Sequence, residues 1–221
     1  MDIQNNISKI KISLGDGCQL VAVSKTKPAE MIIEAYGAGH RDFGENRVQE
    51  LIEKHELLPK DIRWHMIGHL QTNKVKYIAP FVHLVHAVDS EKLLKELQKQ
   101  AKKNNRKIHC LLQVHIAREE TKHGWGLEEL EEFLRTDKIC DYDHVIVEGL
   151  MGMATFTNDT EQIRKEFRAL KGLFDRVAKM ETGDGVVMQT LSMGMSGDYL
   201  IAAEEGSTLV RVGSAIFGDR N

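Results

Sequence analysis

Three stretches of this 221-residue sequence carry residue types that could do chemistry together. The first is Val21-Ala22-Val23-Ser24-Lys25-Thr26-Lys27-Pro28, an apolar strand that ends on a lysine. Lys27 is a like charge nearby, the helix introduced by Pro28 begins with positive partial charge, and the apolar strand limits hydration. All three favour the neutral amine at Lys25, the form that Schiff-base formation with a carbonyl requires. For a lysine taken alone, a solvated strand end is the commoner explanation. The second stretch is Leu191-Ser192-Met193-Gly194-Met195-Ser196-Gly197-Asp198. Its glycines expose backbone N–H groups, and it leads into a short helix expected over 198–205, with Ser196 as a candidate cap. That is an anion cradle or a plain strand-to-helix turn, and the stretch alone does not choose. The third stretch, Thr208-Leu209-Val210-Arg211-Val212 followed by Gly213-Ser214-Ala215-Ile216-Phe217-Gly218, favours the cradle. It repeats a small-residue loop after the next strand, and barrel phosphates bind between the loops after strands seven and eight. Arg211 faces opposite to Val210 and Val212, where burial is costly without a partner. Either a ligand or a strand carboxylate such as Glu148 could supply one.

The elements that must position these residues follow from alternation along the chain. Short β-branched runs fall at 19–24, 40–43, 63–67, 82–88, 108–116, 144–150, 186–191 and 208–212, with amphipathic stretches between them. Eight such units predict an α/β fold, a single (β/α)8 TIM-type barrel over 1–221, with an extra helix at 3–13 before the first strand. A doubly wound open sheet is the alternative. Pro28 suits a first helical turn, and Gly37 and Gly39 end that helix. Ser90 can cap the run 91–103, where Leu93, Leu94, Leu97 and Ala101 share a face. Asn158, with Glu161 three residues on, marks the start of a long helix whose buried stripe is Ile163, Phe167, Leu170, Phe174 and Val177.

Other features exclude more than they assign. The net charge is -3 with signs mixed along the chain, so no basic field suggests nucleic acid. No apolar run approaches the roughly 20 residues of a membrane span, and the N-terminus lacks a signal-peptide core. Cys18, Cys110 and Cys140 are odd in number and form no CxxC, as expected of reduced thiols in a cytoplasmic protein. Asn46, in Phe43-Gly44-Glu45-Asn46, could cap the following helix or touch a ligand ring. His65 and His69 have a four-residue spacing that suits metal only on a helix. Here a strand and turn are expected, so no metal is assigned.

With these residues in place, the sequence closely resembles the pyridoxal 5′-phosphate (PLP) homeostasis proteins, the YggS/PROSC family. The matching stretches are VAVSKTKP at 21–28, FGENRVQE at 43–50, WHMIGHLQTNK at 64–74, LSMGMSGD at 191–198 and VRVGSAIFG at 210–218. The resemblance implies the barrel of the alanine racemase N-terminal domain, with PLP held as a Schiff base on Lys25. It implies phosphate contacts from Ser192, Gly194, Ser196, Gly213 and Ser214, with Arg211 near the pyridine nitrogen; Asn46, from its place after the second strand, is counted as a further cofactor contact. It further implies a PLP carrier acting in intracellular vitamin B6 homeostasis, not an enzyme. A monomer is expected, meeting PLP-dependent apo-enzymes transiently. Ser214 stands where many relatives have threonine, and both offer a hydroxyl. The segment Glu119-Glu120-Thr121-Lys122 resembles a family loop carrying another lysine, which is either a relay for PLP or a solvated loop residue.

Two enzyme classes share these features. An amino-acid racemase would need an opposing base from a second domain, which the sequence is not expected to supply after the barrel. An aldolase-type barrel would use Lys25 and the cradle for a phosphorylated substrate without PLP.

Overall fold

In the computed structural model, which describes residues 2–119 and 123–218, strands and helices alternate along the chain. The strands are β1 (Gln19–Val23), β2 (Asp42–Glu45), β3 (Arg63–Met66), β4 (Leu84–Val88), β5 (Ile108–Val114), β6 (Val145–Gly152), β7 (Val186–Ser192) and β8 (Leu209–Val212). Each runs parallel to the next, and β8 pairs with β1 from Gln19–Leu209 to Ala22–Val212, so the sheet closes in sequence order. The barrel alternative is therefore the observed one, and the open sheet is excluded.

The main helices are α1 (Ile3–Leu14), α2 (Ala29–Gly37), α3 (Val48–Leu57), α4 (Val75–Ile78), α5 (Glu91–Lys103), α6 (Leu127–Arg135), α7 (Thr160–Val177), α8 (Tyr199–Glu204) and α9 (Ser214–Phe217). The extra N-terminal helix is present and buries Ile3, Ile7 and Ile10. In α5, Ser90 Oγ accepts the Leu93 N–H as expected of a cap. In α7 the cap is Asp159 rather than Asn158: its carboxylate accepts the Glu161 and Gln162 N–H groups. A charged acceptor one residue later takes both orphan donors and suits the positive helix end better. The α7 stripe of Ile163, Phe167, Leu170, Phe174 and Val177 is buried as the spacing predicts. Each such side chain contributes about 1.5–3 kcal/mol.

The strands divide their residues between two clusters. Outward-facing Leu20, Ala22, Phe43, Trp64, Cys110, Leu112, Leu191, Val210 and Val212 pack with the helices in the large core. The interior cluster is small: Val21, Leu84, Ala87, Leu111, Met151 and Leu209, with Met153 against it. The rest of the barrel interior is unusually polar, because His65, His86, Gln113, Ser192 and Arg211 are all buried. Branched apolar layers fill most barrels of this kind, so polar groups here need specific partners. Gly149 shows how the alternation is reset. It has φ +154°, and a Cβ there would lie 1.9 Å from Thr190 O. The register shift at this point puts Leu150 in the outer core and Met151 in the inner one.

β2 is displaced by two residues at both ends from its sequence expectation, and the other strands keep theirs to within two residues. β2 spans Asp42–Glu45, not 40–43. Gly39 turns the chain at φ +83°, and His40 is buried edge-on to Phe43 before pairing begins. The strand then ends on Glu45, a fully buried carboxylate that hydropathy assigns to a loop.

Candidate functional site

The C-terminal ends of β1, β2, β6, β7 and β8 surround a cleft of about 800 Å³. Lys25, Asn46, Ser196, Arg211, Gly213 and Ser214 all line it.

Lys25 is placed by an ionic clamp beneath it. Ser24 is fully buried, and its Oγ donates to Glu45 Oε1 at 2.6 Å. Lys54, reaching up from α3, donates to Ser24 O at 2.7 Å, Glu45 Oε1 at 2.8 Å and Glu50 Oε1 at 2.6 Å. Glu50 also accepts the Thr26 N–H at 2.6 Å. Thr26 is held at φ +64°, a conformation that costs a non-glycine residue about 1–3 kcal/mol unless its surroundings enforce it. The residues on both sides of Lys25 are thus fixed, which fixes the direction of its side chain. Burial pushes the Glu45 carboxyl up, and Lys54 and Ser24 oppose that shift. Lys27, two residues on, donates to Gly218 O at 2.9 Å and joins β1 to the end of α9.

The loops after β7 and β8 meet on another wall. Ser196 Oγ accepts the Gly213 N–H at 3.1 Å, so it ties the two loops together rather than capping α8. Asp198 occupies the capping position instead, and its carboxylate accepts the Met195 N–H at 2.6 Å. Gly197 borders the cleft with open space where a Cβ would stand. Ser214 is exposed at the first turn of α9. Gly194 does not line the cleft: it is buried at φ +96°, with α8 packed closely over it. Ser192 does not line it either. It is fully buried inside the barrel, with its hydroxyl engaged by His86 and Arg211.

Arg211 forms the floor of the cleft and is 4% exposed. It donates to Ser192 O at 2.9 Å, to Ser192 Oγ, and to Gly152 O at 3.1 Å. Burial pushes its guanidinium down to about 10, against a smaller opposing influence of Asp198, so it remains a cation at neutral pH. Glu148 is not its partner, because that carboxylate is bonded to His109 at 2.6 Å.

Sequence reasoning missed the wall after β6. Met153, Ala154, Thr155, Phe156, Thr157 and Asn158 border the cleft there. Glu166 of α7 braces this wall by accepting from both Thr155 N and Thr155 Oγ1 at 2.7 Å. It also missed Gly68. A Cβ at that position would sit 2.5 Å from Asn46 O, so the turn after β3 can approach Asn46 only through a glycine. Asn46 caps no helix, because α3 begins at Val48 after Arg47.

His65 and His69 do not converge. His65 is inside the barrel, and His69 is exposed with Asp89 at 3.0 Å. Asp42, His65 and His83 offer ligand atoms within 4.8 Å of one another, but Arg63 already holds both Asp42 oxygens. Lys122 lies outside the described residues.

The family model described as "Alanine racemase, N-terminal domain" matches residues 1–221. The pyridoxal phosphate homeostasis protein of Aquifex aeolicus is 42% identical over 93% of this chain and 89% of its own length. The human protein of that name is 40% identical, over 92% and 77%. The solved structure of PipY from Synechococcus elongatus with PLP bound superposes with a TM-score of 0.87 at 33% identity, covering 98% of this chain and all of that one.

Proposed function

The chain belongs to the pyridoxal phosphate homeostasis protein family, built on the alanine racemase N-terminal barrel, and on that premise we propose that it holds PLP at the barrel mouth through Lys25. The observation that carries this reading is the cleft itself. A strand-end amine, two facing small-residue loops and a buried cation line one space of about 800 Å³. That volume suits a cofactor, since small-molecule sites occupy about 300–1,000 Å³. When bound, PLP supplies an electrophilic aldehyde and a conjugated ring that can accept electrons.

Lys25 takes the aldehyde end. Ser196, Gly213 and Ser214 would surround the phosphate: the two hydroxyls would donate to it, and Gly213, whose N–H holds Ser196, would leave it room. Asn46 borders the ring. Ser192 and Gly194 support that wall from behind rather than touching the phosphate. Arg211, a cation at neutral pH, would stand by the ring nitrogen. A guanidinium there disfavours a proton on that nitrogen and weakens the ring as an electron sink. That supports a protein that stores and delivers PLP over one that turns substrates over. The relatives are named for homeostasis rather than for a reaction, which agrees with this. We place the protein in the cytoplasm, as a monomer that meets PLP-dependent apo-enzymes transiently. Among the described residues no helix is long and apolar enough to cross a membrane.

The visible absorption spectrum tests the proposal. Protein mixed with PLP and desalted is expected to be yellow, and Lys25→Ala colourless. A colourless wild type that cannot be loaded would instead favour a barrel using Lys25 on a phosphorylated carbonyl substrate. Robust deuterium exchange at the α-carbon of amino acids by the loaded protein would favour a racemase-like enzyme.

A further inference from the structure

We propose that Asp42, His65, His86 and Ser192 form a hydrogen-bonded column through the barrel interior that positions Arg211, so that the cleft floor is held from the opposite end of the barrel. The column is continuous. His65 Nε2 lies 3.2 Å from Asp42 Oδ1, His65 Nδ1 lies 2.9 Å from His86 Nε2, and His86 Nδ1 lies 3.1 Å from Ser192 Oγ. Ser192 Oγ then accepts from Arg211 Nη1. His86 and Ser192 are fully buried, and His65 is 2% exposed. Asp42 lies on β2, His65 on β3, His86 on β4 and Ser192 on β7, and the barrel interior brings them together.

With one proton on each histidine, every bond of the column has one direction. Arg63 clamps Asp42 through both oxygens, at 2.6 and 2.5 Å. Burial raises the Asp42 carboxyl, but the hydrogen bonds from Arg63 and His65 outweigh it and hold it well below the usual range. Asp42 is therefore acceptor-only. In the proposed column His65 carries one proton, donated from Nε2 to Asp42, and its Nδ1 accepts. His86 must then donate from Nε2 and accept at Nδ1. That acceptor takes the Ser192 hydroxyl proton and turns the hydroxyl lone pairs toward Arg211. Burial foremost, with the Arg211 guanidinium acting in the same direction, holds His86 neutral and well below its ordinary value. One proton occupies each bond, no donor is orphaned, and the alternative hydroxyl rotamer, which would point a proton at the guanidinium, is excluded.

This explains how a buried arginine is held without a carboxylate among its hydrogen-bond partners in the described residues. It also gives Ser192 a role other than phosphate binding. Asp42, His65, His86 and Ser192 are positioning residues, since none of them lines the cleft. The part of the inference that concerns the ring rests on the PLP reading above; the column itself does not.

The test has two arms. In ligand-free protein labelled with 15N-histidine, long-range nitrogen–proton spectra at neutral pH are expected to show His65 and His86 both as Nε2–H tautomers. Ser192→Ala should shift the His86 Nδ1 resonance. Finding His86 as the Nδ1–H tautomer would overturn the column whether or not PLP binds. In the second arm, PLP dissociation constants are measured for His86→Gln, Arg211→Gln and the double variant. Each single variant is expected to weaken PLP about tenfold, the loss of one buried hydrogen bond near a charge, and the double variant no more than the worse single one. Additive effects would contradict positioning through Arg211. Ser192→Thr, which keeps the hydroxyl, should retain wild-type affinity where Ser192→Ala does not, and equal loss in both would also contradict it. A wild type with no PLP affinity but the stated tautomers would refute the proposed function and leave the column supported.

Discussion

Gly194 and Gly197 sit three residues apart in one loop, and substituting each by alanine should have opposite consequences. At Gly194, φ is +96°, and a Cβ would stand 2.5 Å from Ala202 Cβ and 3.0 Å from Tyr199 Cα. The backbone conformation costs alanine about 1–3 kcal/mol. Forcing a methyl against α8 adds about 1–3 kcal/mol more. The sum, about 2–6 kcal/mol, corresponds to a melting temperature lower by roughly 5–20 °C in a chain of this size. At Gly197 no atom of the described residues lies within 4 Å of the added Cβ, and its φ is not in the left-handed region. Gly197→Ala should therefore melt within a degree or two of wild type, a change under about 0.5 kcal/mol. Its methyl enters the cleft, however, so PLP binding should weaken. The assay is paired: thermal unfolding of ligand-free protein, and PLP titration by absorbance. If Gly194→Ala melts with wild type, the packing argument for that loop is wrong. If Gly197→Ala binds PLP as wild type does, the loop after β7 does not hold the phosphate.

The clamp beneath Lys25 predicts that Glu50→Ala destabilises the fold by about 1–3 kcal/mol, since it strips acceptors from Lys54 and from the strained Thr26; denaturant unfolding with PLP titration should show both stability and affinity reduced. His40 supplies a pH dependence. Burial, then Lys11, depresses its imidazole to about 4 from an ordinary 6.5. Its folded form is therefore neutral where the unfolded form takes a proton, so its contribution is complete above 6.5 and is lost as pH falls toward 4. Stability should fall by about 3 kcal/mol over that window from this group, and His40→Gln should flatten that limb of a stability–pH curve. Phe156 is 97% exposed at the cleft rim. Phe156→Ala should leave the melting temperature within about a degree while changing the rate of PLP release, measured by transfer to an apo-enzyme.

The barrel was legible because eight β-branched runs alternate with helical stripes, and local pattern suffices to count them. Lys25 and the two glycine/serine loops were legible for the same reason: each is a contiguous segment ending a strand. What escaped depends on partners distant in sequence. Ser196 looks like a cap in its own segment, but its acceptor is used by Gly213, seventeen residues away. Glu148 was a reasonable mate for Arg211 until His109 claimed it. Lys54 reads as an ordinary solvated helix lysine, yet it is buried against Glu45, so β2 continues to a residue that hydropathy would exclude. The histidines of β3 and β4 read as separate core or surface residues, because only barrel closure lines them up with Ser192. Asp159 outcompetes Asn158 as a cap through charge, a difference that the spacing alone does not resolve.

The central claim is that Lys25 is the residue that takes the cofactor's aldehyde, and reductive trapping tests it most directly. Protein loaded with PLP is treated with borohydride, digested, and mapped by mass spectrometry. The pyridoxyl label is expected on the peptide containing Lys25, at near one equivalent, with little on Lys27 or elsewhere. A label that falls on Lys27, on Lys122 or across many surface lysines would contradict the assignment.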